Sequence, residues 1–182
     1  MDSAGMTLSI ASPWGGGEIR TGLMGAYNLP NLLAAAGTLA LMGMPWNQVM
    51  HQLEIMRPAP GQMQCLGDEP GQPLIVVDEA NTPDALEKAL QALRSHLRGR
   101  LVCVVGCGGE TGREARIRKA QAAETMADRV VMTTGTPGND APFAIFADAM
   151  KGLERPGDAR FIEERAEAIR VAIGECGPGD IV

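Results

Sequence analysis

The spacing of apolar positions changes about a third of the way along the chain. Two stretches with partial alternation, Met6-Thr7-Leu8-Ser9-Ile10 and Glu18-Ile19-Arg20-Thr21-Gly22-Leu23, flank Pro13-Trp14-Gly15-Gly16-Gly17. A period of two turns one side of a strand toward a core, and Pro/Gly clusters are turn chemistry, so residues 6–24 are predicted to form a β-hairpin with the three glycines in its turn. Helical periodicity follows over 29–42, with Pro30 tolerated in the first turn and Gly43 near the end, and again over 46–56. Arg57-Pro58-Ala59-Pro60-Gly61 then breaks the pattern and reads as a linker.

Beyond it, strands and helices alternate. Leu74-Ile75-Val76-Val77-Asp78 is a continuous apolar run closed by an acid, as expected of a buried parallel strand. Thr82-Pro83-Asp84 has the cap, the N1 proline and the first-turn acid of a helix start. That helix, predicted over 82–97, presents Leu86, Leu90, Leu93 and Leu97 on one face. A strand over 101–105 leads into Gly106-Cys107-Gly108-Gly109. A helix over 116–127, a strand over 129–133, helices over 142–153 and 163–176, and the first residues of a further strand at Asp180-Ile181-Val182 complete the series. Such alternation with short connections predicts an α/β fold, a doubly wound and mostly parallel Rossmann-like sheet with ligands at the C-terminal ends of its strands.

Composition narrows the picture. Of 182 residues, 45% are hydrophobic but only 3% aromatic, so the core must be built from aliphatic side chains and methionine. A net charge of −6 is poorly matched to a phosphate backbone, and nucleic acid is not an expected partner. The longest apolar stretch, 32–44, contains glycines and falls short of the roughly 20 residues of a membrane span. No basic segment followed by an apolar run and a cleavage site opens the chain. Cys65, Cys103, Cys107 and Cys176 have neither disulfide-framework nor zinc spacing, which fits reduced thiols and a cytoplasmic location.

Several segments, in order, resemble the Mur ligase family. Ser12-Pro13-Trp14-Gly15-Gly16-Gly17-Glu18-Ile19, continuing at Leu23-Met24-Gly25-Ala26-Tyr27-Asn28-Leu29-Pro30-Asn31-Leu32-Leu33, is similar to the end of that family's central domain. Pro60-Gly61-Gln62-Met63 resembles the junction into its C-terminal domain. Val77-Asp78-Glu79-Ala80-Asn81-Thr82-Pro83 resembles its Asp-Tyr-Ala-His-Thr-Pro signature, and Val105-Gly106-Cys107-Gly108-Gly109 its glycine loop. The resemblance implies that 1–57 are the end of a central ATPase domain and 58–182 a C-terminal Rossmann-like domain, truncated at its C-terminus. It further implies ATP and magnesium as cofactors and the amide-bond chemistry of peptidoglycan precursors. In that chemistry a carboxylate of a UDP-muramoyl peptide becomes an acyl phosphate and is attacked by an amine, diaminopimelate in the branch most similar here.

The same resemblance assigns Asn28 and Asn31 to the adenine, Asp78 to the ribose, Asn81 to the signature histidine's place, and Thr136, Pro137 and Gly138 to the amino-acid-binding loop. From the residues alone, Asn28 and Asn31 are three apart at a helix start and could equally cap it. Asp78 could equally accept backbone N–H groups, and Arg113 and Arg116 could steer phosphates or form a solvated helix end.

Departures from the family pattern fall on charged positions. Gln62 stands in place of an arginine, Glu79 and Asn81 in place of tyrosine and histidine, and Gly138 in place of an arginine that would clamp a carboxylate. No G-x-x-x-x-G-K-[ST] sequence is present, so the phosphate cradle and the magnesium ligands are not among these residues. The expectation is a Mur-ligase-like chain of the peptidoglycan-precursor pathway that is inactive alone. The alternative is a non-catalytic module that binds nucleotide or protein, associating with itself or docking on a complete Mur ligase. An unrelated dinucleotide-binding dehydrogenase would need G-x-G-x-x-G after its first strand, and none is found.

Overall fold

A computed structural model of the chain describes residues 5–67, 71–108, 112–135 and 140–182. It opens on the expected hairpin, β1 (Met6–Ser12) antiparallel to β2 (Gly15–Thr21), with Ser12 opposite Gly15 and Met6 opposite Thr21. The turn is therefore only Pro13-Trp14, and the three glycines belong to the strand, which corrects their assignment to the turn. Helix α1 (Asn28–Leu41) and helix α2 (Trp46–Ile55) follow, each within a residue or two of its predicted ends. The reason for glycine in β2 is α2. A Cβ on Gly15 would lie 2.6 Å from the Trp46 ring, and one on Gly17 would lie 2.9 Å from Met50. Met6, Ile10, Ile19, Leu23, Leu32, Ala36, Ala40, Val49 and Leu53 close this first core.

A mixed sheet carries the rest. Strand β3 (Gln64–Leu66) runs antiparallel to β4 (Ile75–Val77), while β5 (Val102–Gly106), β6 (Arg129–Thr133) and β7 (Arg160–Phe161) are parallel. Neither β3 nor β7 is anticipated by the sequence pattern. Residues 180–182 join the two parts. Leu74 N–H donates to the Asp180 carbonyl (3.0 Å), Val182 N–H to Leu74 (2.9 Å), Ile181 N–H to Arg100 (2.9 Å) and Val102 N–H to Ile181 (2.8 Å). The segment thus lies between β4 and β5, parallel to both, and Ile181 is fully buried. The strand that the sequence reading begins at Asp180-Ile181-Val182 is thus not an open edge at Ile181, which is paired on both flanks. The hairpin, in contrast, pairs with no further strand among the described residues.

Helices cover both faces of this sheet. On one, α3 (Pro83–Arg94), α4 (Arg113–Met126) and α5 (Pro142–Met150) set Leu86, Leu90, Leu93, Ala120, Ala123 and Ile145 against Cys103, Val105, Val130 and Met132. On the other, Ala168 and Ala172 of α6 (Arg165–Gly174) pack on Val102 and Val131. Alternate residues of β5 and β6 feed opposite cores, which is the doubly wound α/β arrangement read from the sequence. Thr82 accepts the Ala85 N–H and caps α3 ahead of Pro83, as predicted. No described helix is long and apolar enough to cross a membrane.

Candidate functional site

The segment leading into α1 is held by its own polar groups. Asn28 donates from Nδ2 to the Met24 carbonyl (2.7 Å), and Asn31 donates from Nδ2 to Asn28 Oδ1 (3.2 Å). Neither amide caps the helix, because Tyr27 occupies the cap position and no side chain receives the orphan N–H groups. The two asparagines instead form a relay that leaves Asn31 exposed with its Oδ1 and one N–H uncommitted. Gly25, at φ +82°, sits beneath them. A Cβ there would lie 2.5 Å from the Tyr27 ring and 3.1 Å from Ala92. The Gly25 N–H donates to Nε2 of His96 (3.0 Å), a buried histidine just past the end of α3, and the Met24 side chain enters the core of the second sheet.

Asp78, just beyond β4, works on the junction between the two cores. Its Oδ2 accepts the Met63 N–H at 2.9 Å. Met63 has φ +49°, a left-handed conformation that costs a residue with a Cβ on the order of 1 kcal/mol or more. Burial of the Met63 side chain and the Asp78 bond hold it there. Next to it, Glu79 N–H donates to the Gly61 carbonyl (2.7 Å). The Tyr27 phenol is raised above its ordinary range, first by burial and then by the Asp78 charge, so the end of β4 acts electrostatically on the residue that precedes α1. Asn81 is exposed three residues further on.

A second set of groups lies at the ends of β5 and β6. Cys107 N–H donates to the Thr133 carbonyl (2.9 Å), and a Cβ on Gly106 would stand 3.3 Å from the Gly135 Cα. The glycine loop and the start of the predicted amino-acid loop are therefore side by side. Thr136, Pro137 and Gly138, like Gly109, lie outside the described residues. Burial pushes the Cys107 thiol up to about 11, with Lys119 and Arg116 opposing the rise. Lys119 is itself buried on the inner face of α4, and desolvation lowers its ammonium.

The solvated-helix-end reading of Arg116 is overturned. Its guanidinium is buried and paired with Asp140 and with Asp148 (3.4 Å), and Arg113 pairs with Asp148 at 3.2 Å. Two carboxylates thus occupy the cation that could have met a phosphate.

Asn28, Asn31 and Asp78 each make a structural hydrogen bond, the asparagines at the start of α1 and Asp78 to the junction at Met63. Of the two alternatives for Asp78, acceptance of a backbone N–H is observed, although that N–H comes from the junction rather than from its own turn. Sequence reasoning missed Tyr27, His96 and Lys119. Tyr27 had a signal, as the sole tyrosine and immediately before Asn28. Lys119 had a weaker one, lying three residues from Arg116 and so on the same helix face. Among the described residues no group of three His, Cys, Asp or Glu side chains could hold a metal ion.

A family model described as "Mur ligase, glutamate ligase domain" matches residues 61–182. UDP-N-acetylmuramoyl-L-alanyl-D-glutamate–2,6-diaminopimelate ligase of Coxiella burnetii (strain RSA 493 / Nine Mile phase I) is 42% identical over 178 residues, 98% of this chain and 36% of the relative. A solved structure of an enzyme of the same name superposes with a TM-score of 0.77 at 35% identity, covering all of this chain and 37% of the other. Folylpolyglutamate synthase of Mycobacterium tuberculosis, solved with ADP and AMPPCP, superposes at 0.72 over 98% of this chain and 42% of its own. At 23% identity it shows the shared fold alone. The chain spans little more than a third of the length of these two diaminopimelate ligases.

Proposed function

This chain belongs to the Mur ligase family, and we propose that it forms an adenine-nucleotide-binding face of a peptidoglycan-precursor ligase without the means to turn over by itself. The relay from Asn31 through Asn28, set beside Tyr27 and Asp78, carries this reading. An amide with a free donor and a free acceptor would suit an adenine edge, and a carboxylate beyond a parallel strand would suit ribose hydroxyls. The similarity to a diaminopimelate-adding ligase points to a UDP-muramoyl peptide and diaminopimelate as substrates of the whole enzyme, and to the cytoplasm as its location. Residues 1–57 are read as the end of its central domain and 58–182 as its C-terminal domain. The rest of a Mur ligase, in the same or another polypeptide, would cover the exposed Leu33 and Leu41 of α1 and Met42 just past it.

The proposed inactivity rests on phosphate chemistry. Transfer of a γ-phosphoryl group needs a cradle of backbone N–H groups, a lysine and a metal to offset developing charge. These 182 residues contain no P-loop sequence, Gln62 lacks a guanidinium, and the Arg116 guanidinium is engaged by Asp140 and Asp148.

Titration of the purified chain with ATP by calorimetry is expected to show binding weaker than micromolar, abolished in Asn31→Ala. No binding at all, or binding unchanged by that substitution, would count against the nucleotide face. With ATP, magnesium, UDP-muramoyl dipeptide and diaminopimelate, no product is expected. Product above a no-enzyme control would overturn the proposed inactivity.

A further inference from the structure

The Met24–Gly25 peptide group is gripped at both ends. Its carbonyl accepts the Asn28 amide at 2.7 Å, and its N–H donates to His96 Nε2 at 3.0 Å. The carbonyl bond is at the short limit for an N–H···O contact. A peptide whose N–H is already donating carries more negative charge on its oxygen, so the two bonds strengthen each other.

His96 reaches this peptide from the opposite core. It is 1% exposed, and its backbone N–H donates to the Leu93 carbonyl at the end of α3. For Nε2 to accept, the ring must be neutral with its proton on Nδ1. Gly25 is buried, so without His96 its N–H would lack a partner away from water, a loss that folded chains rarely tolerate.

We propose that His96 is a positioning residue for the nucleotide face: by accepting the Gly25 N–H it fixes the plane of the Met24–Gly25 peptide, and through that carbonyl it orients the amides of Asn28 and Asn31. A histidine that only fills core space would not need its acceptor nitrogen on this one peptide. The role given to the asparagines is that of the proposed function, whereas the coupling itself stands on the hydrogen bonds. Its consequence is that the second core reports on, and sets, the side chains that present the first unit's polar face.

The test compares His96→Phe, which keeps the ring and removes the acceptor, with His96→Gln, which restores one at similar reach. In ¹⁵N-resolved NMR spectra of the full chain, His96→Phe is expected to shift the Gly25 backbone amide and the Asn28 side-chain amide. It should also weaken ATP binding about tenfold, and His96→Gln should return all three toward wild type. A His96→Phe chain that loses thermal stability but keeps the Asn28 signal would overturn the proposal. Shifted amides in a chain whose wild type binds no ATP would support the coupling and sink only the nucleotide reading. Should His96→Phe not fold, the wild type suffices. A ¹⁵N–¹⁵N coupling across the hydrogen bond between Gly25 and His96 Nε2 is expected, and its absence overturns the proposal.

Discussion

The carboxylate of Asp180 accepts the N–H groups of Arg100 (2.7 Å) and Gly177 (3.0 Å) and pairs with the Arg100 guanidinium at 2.9 Å. The fit is close, since a Cβ on Gly99 would stand 2.4 Å from its Oδ1. These donors, the Arg100 side chain first, hold the carboxyl at about 2 instead of 3.8. A depressed carboxylate pKa stabilises the folded state above the unfolded value, and that contribution disappears as pH falls through the folded one. Asp180→Asn is expected to cost about 2 kcal/mol near neutral pH, as for lost hydrogen bonds to a charged group. It should also flatten the fall in stability between pH 4 and pH 2, both read by chemical denaturation. An unchanged acid limb would remove Asp180 from this role. At this scale the sequence was partly legible. Asn28, Asn31 and Asp78 are visible because amides at a helix start and an acid after an apolar strand are local signals. His96 is not, because its meaning is a bond to a residue 71 positions away.

At the level of elements, glycine has opposite meanings in β2 and α1. Gly15, at φ +145°, faces the Trp46 ring, while nothing lies within 4 Å of where a Cβ on Gly37 would be. Gly15→Ala adds backbone strain to overpacking and is expected to destabilise by about 2–3 kcal/mol. Gly37→Ala, in a helix interior with open space, should stabilise by roughly 0.5–1 kcal/mol. Urea midpoints of the two variants check the opposite signs, and a shared sign would refute the packing account. Long helices were legible because their apolar stripes repeat over several turns. The two- and three-residue strands β7 and β3 were not, because so short a segment shows no period. The turn of the hairpin was misplaced for a related reason. Three glycines look like a turn, whereas two of them face side chains of α2, Gly15 the Trp46 ring and Gly17 Met50.

On the scale of the molecule, the family and the doubly wound sheet were legible in the order of motifs, whereas the place of residues 180–182 was not. Strand order is a non-local property, and a three-residue stub carries no indication of its neighbours. Ile181 is fully buried in the larger core between Leu74 and Leu101. Ile181→Ala is expected to cost about 2–5 kcal/mol, in the range of buried Ile-to-Ala changes. If calorimetry shows a loss well under 1 kcal/mol, the segment does not seal the sheet.

The central place of residues 180–182 also dictates when this sheet can close. On the ribosome, β4 and β5 are made early, yet they have no direct pairing to unite them. Until Asp180, Ile181 and Val182 leave the exit tunnel, the nascent chain holds two part-sheets with bare inner edges. Those edges are templates for mispairing with other nascent chains. The emergence of residues 180–182 therefore converts an aggregation hazard into a continuous sheet, and any chaperone that shields these edges must act before then.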